Sequence, residues 1–166
     1  MPFKFEKLEI WQLALEYIDL IYEIAAQLPK AEEYNLKSQI VRAATSIALN
    51  IAEGSTGQTN AEQARFLSMA LRSLVETVAC QHLIHRRQLL ADSEPLREAY
   101  RRADALAAKI QSLRRSLIGA REQLAAEPAD YSITDSPYSS DFDADPAQAL
   151  GGRWSVVGGQ TRAEDA

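Results

Sequence analysis

A row of polar side chains in the second apolar segment of the chain has the residue types that acid–base chemistry uses. It consists of Arg42, Ser46, Asn50 and Glu53. Their spacings of four, four and three place them on one face of a helix. Serine and asparagine are poor helix formers, so their place in the middle of a helix needs a reason. A hydrogen-bonded network that fixes helix register is one reading, and an active site is the other.

The third segment offers partners for this row. Folding the chain about the loop near residue 57 brings Arg42 opposite Glu76 and Ser46 near Ser73. We therefore expect Arg42 and Glu76 to form a mostly buried salt bridge within a structural network. A carboxylate pair could perform acid–base catalysis, but no nucleophile or metal-ligand set accompanies it. The sequence therefore predicts no catalytic residue and no enzyme.

Three possible metal ligands, Cys80, His82 and His85, fall within six residues. Two histidines three residues apart still need a ligand from another helix, and no Glu-x-x-His motif supplies one. Glycine-rich phosphate loops, paired cysteines and nucleophile elbows are absent from the sequence. We therefore predict no metal, no cofactor and no small-molecule substrate. Cys80 is most simply a small buried hydrophobic residue.

Arginines cluster toward the end of the third segment and along the fourth. Those outside the apolar positions are Arg86, Arg87, Arg101, Arg102, Arg114 and Arg115. The arginine guanidinium binds phosphate in a bidentate manner, so these six are the candidate nucleic-acid-binding residues. Acidic neighbours such as Glu98 and Asp104 support another reading, a solvated helix face.

Four helices are predicted to position these residues, since apolar side chains recur every three or four positions in four segments. The first segment has a stripe of Leu8, Trp11, Leu15, Ile18, Tyr22 and Ala25, and the second has Ile40, Ala44, Ile47 and Ile51. The third has Phe66, Ala70, Ser73, Thr77, Cys80 and Ile84. The fourth has a heptad seam of Leu96, Ala99, Ala103, Leu106, Ile110, Leu113, Leu117, Ala120 and Leu124. Short connections favour an all-α, antiparallel up-down four-helix bundle.

Charge divides the 166-residue chain into two parts. Residues 1–126, the predicted bundle, hold 16 basic and 15 acidic residues, and residues 127–166 hold 2 basic and 8 acidic residues. The second part lacks apolar periodicity, so we predict an acidic, disordered C-terminal tail. Trp154 lies in its one apolar island and could dock onto a partner protein. One cysteine, no signal peptide and no membrane span together predict a cytoplasmic protein.

Several short motifs resemble a known bacterial family. They are Phe5-x-x-Leu8-x-x-Trp11-Gln12, Leu28-Pro29, Gln39-x-x-Arg42-Ala43-Ala44-x-Ser46-Ile47 and Asn50-Ile51-Ala52-Glu53-Gly54, followed by Phe66-Leu67, Ala70, Ser73-Leu74 and Glu76. Over about residues 3–120 the chain resembles the four-helix-bundle family of the rRNA intervening-sequence protein. That family includes the accessory variability determinant of diversity-generating retroelements.

The resemblance implies a homopentamer of four-helix protomers without catalytic activity. For the retroelement branch it also implies binding to RNA and to a reverse transcriptase. We therefore expect a non-catalytic oligomeric bundle that binds structured RNA or an RNA–protein complex. The alternative is a protein–protein interaction scaffold that binds no nucleic acid.

Overall fold

The computed structural model describes residues 3–118, and its regular structure is helical throughout. Two 3-10 turns, Lys4–Lys7 and Lys30–Glu32, precede the first and second of four α-helices. The helices are α1 (Glu9–Gln27), α2 (Leu36–Gly54), α3 (Asn60–Arg86) and α4 (Glu94–Leu117). Each packs on the next and α4 packs back on α1, so the predicted up-down four-helix bundle is confirmed. The predicted acidic tail, and Ala120 and Leu124 of the seam, lie outside the described residues.

The apolar rows predicted for α2 and α4 form much of the core. On α2, Ile40, Ala44, Ile47 and Ile51 are buried. On α4 the buried members of the predicted seam are Leu96, Ala99, Ala103, Leu106 and Ile110, while Leu113 and Leu117 are partly buried against them. Alanines at successive core positions of α4 allow the neighbouring helices to approach closely.

The apolar stripe identified on α1 lies mostly at the edge of the core rather than at its centre. Buried residues on this helix are Ile10, Ala14, Tyr17, Ile21, Ile24 and Ala25. Only Ala25 belongs to the predicted stripe; Leu8, Trp11, Leu15 and Ile18 are partly buried and Tyr22 is exposed. The helix has two apolar stripes, and the competing one contains a tyrosine whose hydroxyl finds partners inside the bundle.

The turn between α2 and α3 is fixed by reciprocal hydrogen bonds. The Thr59 hydroxyl accepts from the backbone N–H of Glu62 over 3.1 Å, which caps the first turn of α3. In return the Glu62 carboxylate accepts from the backbone N–H of Gln58 over 3.1 Å. This local arrangement sets the point at which the chain reverses and so the pairing of α2 with α3.

Candidate functional site

The middle of the predicted polar row is a hydrogen-bonded group at the α2–α3 contact. Asn50 Nδ2 donates to the backbone oxygen of Ser46 over 2.7 Å and to its Oγ over 3.0 Å. From α3, Ser73 Oγ donates to Ser46 Oγ over 3.0 Å. Asn50 is buried and both serines are partly buried. Because these polar atoms satisfy one another between two helices, they hold the helices in one register.

The buried salt bridge predicted between Arg42 and Glu76 is wrong. Both residues are exposed, and Gln39 lies between them. The Gln39 amide nitrogen donates to the Glu76 carboxylate, and the Gln39 amide oxygen accepts from the Arg42 guanidinium. A charged pair in the helix contact would have to lose its hydration, whereas the neutral amide occupies that position and leaves both charges in water.

The carboxylates of the row are not brought together for catalysis. Glu53 is exposed at the end of α2, beside Gly54, which lies against Phe66 of α3. Glu76 is ten residues further along α3, which is about 15 Å at the helical rise. The arrangement therefore lacks the close carboxylate pair that the enzyme reading required.

Gly54 shows why the Asn50–Gly54 segment has these residue types. A Cβ atom placed on Gly54 would lie 2.7 Å from the Cβ of Phe66, closer than two carbon atoms can approach. The glycine therefore permits the close contact between the end of α2 and the first turns of α3. Together with Asn50, it gives this segment a packing role.

A buried polar cluster between α1 and α3 was missed in the sequence. The Tyr17 and Thr77 hydroxyls lie 2.6 Å apart, and Gln81 Nε2 donates to the Tyr17 hydroxyl over 2.7 Å. Thr77 Oγ1 in turn donates to the backbone oxygen of Leu74 over 2.7 Å. The direction of these bonds makes Tyr17 the donor to Thr77. All three side chains are fully buried.

Burial has two consequences within this cluster. It raises the pKa of the Tyr17 hydroxyl, although the hydrogen bonds that this hydroxyl makes with Thr77 and Gln81 oppose the shift. Gln81 Oε1 has no hydrogen-bond partner among residues 3–118. The signal for this cluster was Thr77 and Gln81, two polar residues four apart among apolar positions, which indicates a shared buried partner.

The cysteine and histidines of α3 do not form a metal site with their described neighbours. Within residues 3–118 no group of three or more potential ligands is close enough to hold an ion. Cys80 is buried, which raises the pKa of its thiol. The His82 ring packs edge-on against Tyr100, with centroids 5.9 Å apart. No helix in the described part of the chain is both long and apolar enough to cross a membrane.

Two of the six predicted nucleic-acid-binding arginines are paired with acids of their own helix. Arg101 contacts Glu94 at 3.2 Å and Glu98 at 2.9 Å, and Arg102 contacts Glu98 at 2.6 Å. The hydrogen bonds from Arg102 and Arg101 lower the pKa of the Glu98 carboxyl. Phosphate would have to compete with these carboxylates for both guanidiniums.

The other four predicted arginines lie at opposite ends of the bundle. Arg86 and Arg87 are exposed at the end of α3 and make no ion pair within residues 3–118. Arg114 and Arg115 lie in the last turn of α4, where a positive charge complements the helix dipole. A 24-residue helix is about 36 Å long, so the six do not form one continuous patch.

Sequence reasoning overlooked two further arginines on α3. Arg65 and Arg72 are exposed and, like Arg86, form no ion pair with a described residue. Their separation of seven places them on one helix face, and Arg86 follows after two more sevens. That repeat was the available signal. Among residues 3–118, exposed arginines without an acidic partner are therefore concentrated on α3, and Arg42 of α2 contacts the neutral Gln39.

Comparison of the sequence with protein-family models identifies its family. No curated protein matches the sequence significantly. The model of the 23S rRNA-intervening sequence protein matches residues 6–112, well over half of the 166-residue chain. The matched region runs from the first 3-10 turn into the second half of α4 and contains the whole α2–α3 contact. The chain belongs to the 23S rRNA-intervening sequence protein family.

Proposed function

We propose that this protein is a non-catalytic, oligomeric helical bundle that binds structured RNA. The observation that carries the proposal is the group of exposed arginines on α3 without an acidic partner among residues 3–118, in a chain of a family named for an rRNA insertion. The geometry adds support, because the polar row packs α2 against α3 and its carboxylates stand apart.

The RNA-binding surface we propose relies on different arginines from those that the sequence emphasised. Arg86 and Arg87 remain its centre, and Arg65 and Arg72 extend it along α3. Arg101 and Arg102 contribute less because Glu94 and Glu98 neutralise them. Arg114 and Arg115 lie at the far end of α4 and form at most a second contact.

Salt-dependent binding tests this function. Affinity for a hairpin RNA and for a large-subunit rRNA fragment is measured by fluorescence anisotropy over a range of salt concentrations. The Arg86→Ala/Arg87→Ala variant should bind more weakly, and the slope of log K against log salt should fall by roughly 0.7–0.9 for each lost phosphate contact. Arg101→Ala/Arg102→Ala removes the same charge and is the matched control, with a smaller expected effect. If the unmodified protein shows no salt-dependent binding to either RNA, the nucleic-acid proposal is refuted.

We further propose self-assembly through the α1 stripe that begins at Leu8 and Trp11 and stays at the surface, into the homopentamer that the family resemblance implies. Leu15 and Ile18 are only partly buried on this stripe, and Tyr22 is 51% exposed. Light scattering at micromolar concentration should give five times the 18.4-kDa chain mass. Tyr22→Asp should reduce that mass, and Tyr34→Asp, at a tyrosine that is 96% exposed in the connection between α1 and α2, should not. A monomeric unmodified protein would contradict the proposal.

The apolar stripe also favours the alternative function, a protein–protein interaction scaffold. Exposed apolar surface serves protein contacts as readily as self-contacts. The two functions separate in the RNA experiment, because a scaffold would assemble normally and bind no RNA. A reverse transcriptase is the protein partner we propose for an RNA–protein complex, and co-purification with and without ribonuclease would test it.

A further inference from the structure

The outer face of α3 combines exposed apolar side chains with arginines that have no acidic partner among residues 3–118. We define this outer α3 face by Arg65, Met69, Arg72, Val75, Leu83 and Arg86. Met69 is 40% exposed, Val75 36% and Leu83 47%, although the opposite side of the same helix is buried in the core. Two exposed acids lie on or beside this face. The Glu76 carboxylate already accepts a hydrogen bond from Gln39, and the Glu62 carboxylate accepts one from the Gln58 N–H.

The equivalent face of α4 is different. Its exposed positions are mainly alanine, serine and charged residues, and Arg101, Arg102 and Lys109 all have carboxylate partners. A ligand complementary to the outer α3 face must therefore carry both negative charge and apolar groups. Bare phosphate meets only the first requirement.

The chain itself contains a segment with that composition. Residues 130–145 carry five aspartates, at 130, 135, 141, 143 and 145, and no lysine or arginine. Between the aspartates stand Tyr131, Ile133, Tyr138 and Phe142. The later apolar island around Trp154 is flanked by Arg153 and fits the arginines less well. The family match ends at residue 112, so this segment lies outside the matched region.

Chain length allows the contact. In the up-down bundle α4 runs antiparallel to α3, so its C-terminal end lies beside the first turns of α3, close to Arg65. Twelve residues separate 118 from 130 and can span about 40 Å. From Arg65 to Arg86, α3 rises about 32 Å, and sixteen extended residues reach about 50 Å. One segment can therefore follow the whole face.

We propose that residues 130–145 bind the outer α3 face and cover it. The aspartates pair with Arg65, Arg72 and Arg86, and the aromatic side chains pack on Met69, Val75 and Leu83. In this state the bundle withholds α3 arginines from other polyanions. The proposal does not depend on RNA being the protein's ligand, since it concerns the contact within the free protein.

Site-directed photo-cross-linking of the full chain tests the proposal. A benzophenone amino acid replaces Tyr138, and the cross-linked peptide is identified by mass spectrometry without RNA. We expect cross-links to α3 between residues 65 and 86. They should be lost in about 1 M NaCl, where the Debye length is about 3 Å. Replacing all five aspartates by asparagine should abolish them too.

A pair of matched variants makes the result decisive. Arg65→Ala/Arg72→Ala should lose the α3 cross-link, while Arg101→Ala/Arg102→Ala, which removes the same charge from α4, should keep it. Cross-links to α1 or α4 alone, or an α3 cross-link that survives Arg65→Ala/Arg72→Ala, would overturn the proposal. It would also be overturned if those substitutions weakened RNA binding but left the cross-link unchanged, since the face would then serve RNA alone.

Discussion

Replacing Tyr17 by phenylalanine isolates the energetic role of the buried polar cluster. The substitution removes one hydroxyl and keeps the ring that fills the core, so it creates little cavity. Thr77 still donates to the Leu74 oxygen, but Gln81 Nε2 loses the one acceptor it has among the described residues. A buried donor left without a partner costs about 1–3 kcal/mol. We therefore expect Tyr17→Phe to lower the free energy of unfolding by that amount.

Replacing Gln81 should destabilise the protein less than replacing Tyr17. Gln81 Oε1 already lacks a described partner, so Gln81→Met removes one favourable hydrogen bond together with one unsatisfied buried acceptor. Those two changes nearly cancel, and the net loss should stay below about 1 kcal/mol. Combining Tyr17→Phe with Gln81→Met should recover much of the loss of Tyr17→Phe, because no amide donor is then stranded.

Urea unfolding followed by circular dichroism measures these differences. With a slope of about 1–3 kcal/mol per molar urea, the Tyr17→Phe loss shifts the midpoint by on the order of 1 M. All variants are compared at one protein concentration, since assembly adds to apparent stability. Tyr22→Phe, at the exposed tyrosine of the same helix, is the control and should change little. If Gln81→Met costs as much as Tyr17→Phe, the account of a half-satisfied amide is refuted.

Three further predictions concern pH, the glycine contact and the polar row. Burial raises the pKa of Tyr17, so the contribution of its neutral hydroxyl to stability is complete below the unfolded tyrosine value of about 10 and is lost as pH rises above it. The free energy of unfolding should therefore fall less steeply between pH 9 and 12 in Tyr17→Phe than in the unmodified protein, and equal slopes would contradict this. Gly54→Ala should destabilise by about 1–3 kcal/mol through the Phe66 contact, reversing the usual gain from alanine in a helix, and Phe66→Ala should not rescue it because the Cβ remains. Glu76→Ala should cost less than about 0.5 kcal/mol and Asn50→Ala about 1 kcal/mol, as chemical denaturation would measure; a loss above 3 kcal/mol for Glu76→Ala would restore the buried salt bridge.

Periodicity identified the four helices because it records only which residues share a helix face. The contact between Ser46 and Ser73 was also predicted correctly. Residues rise equally along both helices, so the position of the tight turn fixes which residues of α2 and α3 lie opposite each other. Periodicity could not decide how charged groups at that contact would be solvated. The sequence favoured a direct Arg42–Glu76 pair, whereas Gln39, one turn before Arg42, had the reach to bond both.

The pairing of the α4 arginines could not be predicted from the charge pattern either. Their clustering in the sequence indicated a basic surface, but Glu94 and Glu98 lie three to seven residues before Arg101, within reach on the same helix face. Counting charges in a segment does not reveal which of them are already paired. On α3 the arginines are fewer and further apart, yet they have no carboxylate partner within residues 3–118, so the sparser pattern gives the more open surface.

The two stripes of α1 show what periodicity leaves undecided and what that implies for assembly. Apolar residues at 8, 11, 15, 18 and 22 repeat as well as those at 10, 14, 17, 21 and 24, so spacing alone cannot say which set faces the core. The core takes the second set because Thr77 and Gln81 of α3 satisfy the Tyr17 hydroxyl. The first set stays at the surface, where Phe5 packs edge-on against Trp11 with ring centroids 4.8 Å apart. Since that contact covers the beginning of the stripe, its open part is the half around Ile18 and Tyr22, and a second subunit would gain most apolar burial there.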